Sequence, residues 1–253
     1  MRKALVVVPA LVLCLSFLPA QGRVSIAAAS NISAVAPALS DSFERIYPAF
    51  RAEFTFGASG ALATQIINGA PFDIFMSADT SFPQRLVEAG ETEGPVRVYA
   101  VGELILLTTQ KLDLSKGLAV LADPAVAQFA NSNPETAPYG RAAQEALQNA
   151  GLFDRVKPKL VVAQSVTQAL QFTLTSADAG FVSKSALYSR EVKAYDREWE
   201  YWFAVDPSLY SPINQGFVVM RGGATGPAVV AFARFLLSRE ARAVFAAFGY
   251  GFP

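Results

Sequence analysis

From Arg23 onward, short extended runs alternate with longer stretches of helical periodicity, and that alternation restricts the chain to few folds. RVSIAAA at 23–29 reads as a strand. Ser30-Asn31 then offers capping oxygens to a helix in which Val35, Leu39, Phe43 and Ile46 recur at helical spacing, with Pro37 near its first turn. Residues 50–56 alternate as a strand. Ser59 opens a helix with Leu62, Ile66 and Ile67 facing in, and FDIFM at 72–76 is a third strand before a helix ending at Gly90. Further strands are expected at 98–109, 118–121, 159–163, 178–182, 197–205 and 214–220. Helices are expected at 138–150 and 165–174, with a helix pair at the C-terminus. Strands separated by helical patterns of about 10–15 residues imply α/β layers with largely parallel sheets. No linker rich in Gly, Pro and Ser separates two independent domains, so a chain that passes from one lobe to a second and then returns fits better.

The first 22 residues, MRKALVVVPALVLCLSFLPAQG, have a basic start, an apolar run and a small-residue end, the pattern of a secretory signal peptide. The rival is an uncleaved anchor, for which the run from Ala4 to Leu18 is short and Pro9 unfavourable. Cys14 raises a lipid attachment, against which Leu13 stands where a small residue is expected. Removing this leader takes away two basic residues and the single cysteine, leaving a slightly acidic chain that rests on core packing without disulfides.

Composition excludes several function classes. Apolar residues make up 52% and charged ones 17%, which argues against disorder, and a net charge of +0 supplies no basic face for nucleic acid. There is no histidine, so Ser-His-Asp and Cys-His catalysis and imidazole metal sites are all unavailable. Gly57-Ala58-Ser59-Gly60-Ala61 comes near a G-x-S-x-G elbow but ends in Ala, with no His to activate the serine. Asp73 and Asp79 read as a strand start and a helix cap rather than paired acids, and Lys184 between Ser183 and Ser185 as a surface residue. The chain is expected not to be an enzyme.

Three strand-to-helix junctions share one chemistry: AAASN at 27–31, FGASGA at 56–61 and TAPYGR at 136–141. Each places small or hydroxyl residues at a helix start, where first-turn N–H groups lack internal partners and the helix dipole favours an anion. Any one of them alone is equally a plain cap or turn. Together, with no Lys or Arg beside the first two, they suggest an anion held by neutral dipoles, provided that the three converge. Spacing does not establish that they do.

The runs AAASNISAV, FGASGALATQIINGAPFDIFMSAD, NPETAPYGRAAQEAL, QSVTQALQF, AGFVSKSAL and SPINQGFVVM together resemble, in this order, the periplasmic molybdate-binding proteins of ABC importers. The resemblance covers 23–253. It implies a two-lobed type II periplasmic binding protein fold, each lobe a mixed, mostly parallel sheet flanked by helices, with the ligand in the cleft between lobes. On that pattern the first lobe takes 23–100 and returns at 212–253, and the second takes 101–211. The crossovers fall near Tyr99-Ala100-Val101 and Tyr210-Ser211-Pro212. Ser30 and Ser59 would bind molybdate or tungstate through hydroxyl and backbone donors, and Tyr139 and Val166 through backbone N–H. Some members carry a Tyr donor after the strand that reads Gly180-Phe181-Val182 here, whereas this chain has Ser183. Ser183, the Tyr139 hydroxyl or a water are the candidates for that fifth donor. The resemblance further implies a monomer in the periplasm that needs no cofactor and delivers its ion to ABC transporter permease subunits. The rival ligand is another tetrahedral oxyanion such as sulfate.

Overall fold

The structure, a computed structural model, describes residues 22–223 and 226–253, so the expected leader lies almost wholly outside the described residues. In chain order the strands are β1 (Gly22–Ala29), β2 (Phe50–Gly57), β3 (Ile74–Met76), β4 (Thr92–Gly102), β5 (Leu104–Thr108), β6 (Phe129–Ser132), β7 (Leu160–Ala163), β8 (Ala179–Ser183), β9 (Trp202–Ala204) and β10 (Ile213–Met220). The α-helices are α1 (Ala36–Ile46), α2 (Ser59–Ile67), α3 (Ser81–Glu88), α4 (Pro138–Asn149), α5 (Phe153–Val156), α6 (Val166–Thr175), α7 (Pro227–Phe235) and α8 (Arg239–Ala247).

The strands form two sheets on one plan. The first has the order β2-β1-β3-β10-β4 and the second β7-β6-β8-β5-β9. In each, three parallel strands meet an antiparallel fourth, and the last strand runs antiparallel to that one. The chain leaves the first sheet at the end of β4 and enters the second at β5, with only Glu103 between them. It comes back through a 3₁₀ turn at Pro207–Leu209 into β10. The run at 98–109 is therefore two strands shared between two lobes. The C-terminal end pairs with the crossing strand, since Val101 and Gly251 exchange backbone hydrogen bonds of 2.8 Å.

Period-two alternation decides what each face of the first sheet packs against. Val24, Ile26, Ile74 and Met76 face α1, α7 and α8, where Phe43 meets Phe232 edge-to-face at 5.0 Å. Ala27, Phe75 and Val218 face Leu62, Ile66, Phe82 and Leu86 of α2 and α3. In the second lobe Leu104–Leu107, Phe129 and Phe181 pack with the alanines of α4. On the other side Ala130, Ala163 and Ala177 pack on Ala169 of α6, small residues that let that helix lie close to the sheet.

Three local expectations need correction, and one strand has no counterpart among them. The segment 118–121 is not a strand but part of a 3₁₀ stretch, Leu114–Ala122, because its buried Leu114, Leu118 and Leu121 recur at helical rather than alternating spacing. Of 197–205 only Trp202–Ala204 pairs as a strand. The residues before it turn, with Trp199 at φ 64°. Ser30 does not cap α1, whose cap position is Val35, but opens its own 3₁₀ turn, Ser30–Ala34. Strand β6, FANS, escaped the sequence reading because two of its four buried residues are polar.

Candidate functional site

The register of the parallel strands brings four strand ends together in two pairs. Ala29 of β1 lies beside Gly57 of β2, and Ser132 of β6 beside Ala163 of β7. Each end leads into a helical turn: Ser30, Ser59, Pro138-Tyr139 and Val166 follow in that order. This is the carboxyl-end position where α/β sheets present ligand sites. All four turns line one tight space between the lobes, with a cavity volume of about 10 Å³. Its walls are Ala29, Ser30, Asn31, Gly57, Ala58, Ser59, Ala78, Ala137, Pro138, Tyr139 and Val166, with no charged side chain among them. The three junctions singled out in the sequence do converge.

The two serines are poised as donors. Ser59 is the first residue of α2 and makes no capping bond to its own helix. Its Oγ instead accepts from the Ala78 N–H at 3.0 Å, which leaves its proton free for another acceptor. Ser30 is buried, and among the described residues no protein group hydrogen-bonds to its hydroxyl, although Thr167 Oγ1 donates to its carbonyl at 3.0 Å. Tyr139 and Val166 are the second and first residues of α4 and α6, so their N–H groups have no acceptor within the helix. Ser165 caps α6 by accepting from Gln168 N–H at 3.2 Å, which fixes that first turn. Gly140 lets α4 start hard against β6, since a Cβ there would run into the Ser132 carbonyl.

Ser183 stands apart from these four. It lines an adjoining cleft of about 360 Å³ that shares Ser30, Asn31 and Val166 with the smaller space and opens toward Arg190 and Glu191. Its hydroxyl is 2.9 Å from that of Ser185, which donates to the Asn31 carbonyl at 3.0 Å. The smaller space is the better candidate because free donors, not volume, distinguish it. The Tyr139 hydroxyl lies against Gly102, at the strand that crosses between sheets.

Asn31 was read from the sequence only as a cap. In the structure Asn31 lines both cavities, and its side chain belongs to a buried network. Gln215 Nε2 donates to the Ala78 and Ile213 carbonyls at 3.2 and 3.1 Å, which turns its Oε1 to accept from Asn31 Nδ2 at 2.9 Å. The second Nδ2 proton goes to the Tyr250 hydroxyl at 2.9 Å. Asn31 Oδ1 is buried without a partner among the described residues. Nothing in the sequence near Asn31 signals this, because its partners lie 184 and 219 residues away. Burial pushes the Tyr250 hydroxyl up to about 12, against hydrogen bonds with Ser185 and Asn31 that pull it down. Burial, then the neighbouring Tyr250, Tyr99, Tyr210 and Glu103, hold the Tyr139 hydroxyl well above the usual tyrosine range.

The lobes touch around this space. Gly60 N–H donates to the Thr136 carbonyl at 2.8 Å, and Arg141 meets Asp79 at 3.1 Å. Gly60 permits that approach, since a Cβ there would lie 2.8 Å from the Phe82 ring and 3.0 Å from Thr136 Cα. Asp73 and Asp79 are not a pair: Asp73 accepts from Ser25 N–H, and Asp79 from Phe82 N–H at the start of α3. Among the described residues no group of three or more His, Cys, Asp or Glu side chains is placed to hold a metal ion.

Comparison with known proteins bears on what such a space holds. The model of a family described as bacterial extracellular solute-binding protein matches residues 24–251. The molybdate-binding protein ModA of Azotobacter vinelandii is 36% identical over 231 residues, 90% of each chain. That of Rhodobacter capsulatus is 35% identical over 95% of this chain and 93% of its own. The solved structure of the Azotobacter vinelandii periplasmic molybdate-binding protein superposes with a TM-score of 0.83 at 30% identity, covering 91% of this chain and 99% of that one.

Proposed function

The chain belongs to the family of bacterial extracellular solute-binding proteins, and from that premise we propose that it captures molybdate, and tungstate with it, for an ABC importer. The protein has the two-lobed type II fold of that class and is a solute-binding protein rather than an enzyme. The observation that carries the ligand reading is the convergence of four helix starts on one uncharged space.

In this reading Ser30 and Ser59 donate hydroxyl protons and backbone N–H groups to the oxyanion, and Tyr139 and Val166 donate backbone N–H groups from the second lobe. Ser183 serves as a further donor from the adjoining cleft once its hydroxyl turns away from Ser185, to which it donates here. Hydrogen bonds to a charged group contribute about 1.5–3 kcal/mol each, so five to eight of them offset the dehydration of a dianion without fixed positive charge. Sulfate has the same shape and charge but is smaller, and a cavity sized for molybdate leaves its oxygens beyond good hydrogen-bond distance. Hydrogen phosphate carries a proton that the backbone N–H groups of Tyr139 and Val166 do not accept, so a site built mainly of donors favours an unprotonated dianion. Because donors come from both lobes, the ion favours the closed form, which the importer's permease subunits recognise. The working protein is a monomer in the periplasm that needs no cofactor, with residues 1–22 removed on export. The hinges lie near 99–101 and 210–212, which divides the lobes at 23–100, 101–211 and 212–253.

Thermal unfolding with molybdate, tungstate, sulfate and phosphate tests the ligand directly. An ion at 100 times its dissociation constant adds about 2.7 kcal/mol, a rise of about 5–10 °C for a chain of this size. A rise with molybdate and tungstate alone is the expected result. A rise with sulfate alone keeps the site and replaces the ligand, and no rise with any of the four overturns the reading.

A further inference from the structure

The candidate donors are shut away, Ser59 being 1% and Tyr139 2% exposed, so an ion reaches them only when the lobes part. One ion pair breaks as they do. Arg141 lies on α4 two residues after Tyr139, and its guanidinium is 3.1 Å from the carboxylate of Asp79 in the first lobe. Asp79 in turn follows Ala78, whose N–H is bonded to Ser59. The pair therefore sits beside donors from both lobes.

Its two members depend on closure unequally. Asp79 also accepts from Ser77 Oγ at 2.9 Å, Ser81 Oγ at 2.7 Å and Phe82 N–H at 3.2 Å, all within its own lobe. It keeps these partners whether or not the lobes touch. Arg141 also faces the ring of Phe82, 5.9 Å away and again in the first lobe. Glu145, one turn along α4, accepts from the Ser211 N–H at 2.7 Å, and no second-lobe group hydrogen-bonds to the Arg141 side chain among the described residues. Opening leaves Asp79 with its own-lobe hydrogen bonds and Arg141 without Asp79, next to the Tyr139 N–H, with Glu145 one turn away held by the Ser211 N–H.

We propose that Arg141 is an anion-steering residue: it draws the oxyanion into the open cleft, and Asp79 neutralises it as the lobes close. Capture is then assisted by charge, whereas retention rests on neutral donors, so that release does not have to overcome a fixed cation. The Arg141 side chain is 40% exposed and that of Asp79 14%, so solvent screens the pair in part and reduces what breaking it costs on opening. A positive charge beside a cleft raises association rates for anions, and salt screens the effect. The proposal rests on the oxyanion reading above.

Stopped-flow fluorescence measures the association of molybdate with the wild-type, Arg141→Met and Arg141→Lys proteins over a series of salt concentrations. At low ionic strength the wild type is expected to associate about three- to tenfold faster than Arg141→Met. The gap closes toward about 1 M salt, where the screening length is roughly 3 Å. Arg141→Lys, which keeps the charge, is expected to follow the wild type. Equal rates for wild type and Arg141→Met at every salt concentration overturn the proposal, as does Arg141→Lys behaving like Arg141→Met. A merely structural Arg141 would lower the melting temperature without changing the salt slope. Failure of the wild type to bind molybdate at any salt overturns the oxyanion reading itself.

Discussion

In the first lobe the ends of β1 and β2 lead into Ser30 and Ser59. In the second, the ends of β6 and β7, at the same places in the sheet order, lead into Tyr139 and Val166. The sheet plan is repeated while the chemistry at the strand ends is not. The first lobe adds hydroxyls to the N–H groups of its own helical turns, and a hydroxyl is a donor that one substitution removes. The second presents an aromatic and an aliphatic residue, whose only donor facing such a space is the backbone N–H of a helix start. A backbone donor is set by the fold and survives most substitutions. A hydroxyl donor is set by the residue and must itself be oriented, as Ala78 N–H does for Ser59.

That contrast breaks most sharply at Val166. Proline there removes the N–H from the first position of α6, which tolerates it, and Ser165 before it is already extended at φ −145° and ψ 164°. Val166→Pro is expected to weaken molybdate binding by about ten- to a hundredfold in isothermal titration, with the ligand-free protein still folded by circular dichroism. Wild-type affinity in that variant would remove Val166 from the site. Next, Ser59→Ala should cost roughly tenfold in affinity and, by stranding the Ala78 N–H, lower the ligand-free melting temperature by a few degrees. An unchanged affinity would show that Ser59 serves only the fold. Val166→Ala sharpens the comparison from the other side: the N–H remains, and the affinity should stay within about threefold of wild type. A loss as large as that of Ser59→Ala would mean that the second lobe also works through side chains.

The smallest effect concerns the buried network behind the first lobe's serines. The Tyr250 hydroxyl is raised from 10.0 to about 12 in the folded protein. A raised folded value gives stability that is complete below pH 10 and is lost as pH climbs through about 12. Melting temperatures between those two pH values should therefore fall less steeply in Tyr250→Phe than in wild type, and parallel curves would contradict that assignment.

Legibility in the sequence follows the same division between side chain and backbone. The α/β alternation and the helix starts at Ser59 and Pro138 could be read from periodicity, because apolar residues on those elements recur at the spacing their burial demands. Ser30 and Ser59 stood out because hydroxyls and glycines at a junction are visible as residue types. Val166 carries no such mark, and only resemblance to a family pointed to its N–H. Strand β6 was missed because Asn131 and Ser132 are buried polar residues that break the apolar run. The pairing of Asp79 with Arg141, 62 positions apart, depends on how two sheets are set against each other, and no local pattern encodes it.

The most direct test of the account is a crystal structure of the molybdate complex, with data collected across the molybdenum absorption edge. The account predicts a single anomalous peak in the space between the lobes, with oxygens in hydrogen-bond reach of Ser30 Oγ, Ser59 Oγ, Tyr139 N and Val166 N. A peak out in the cleft beside Arg190, with those four donors untouched, would contradict it.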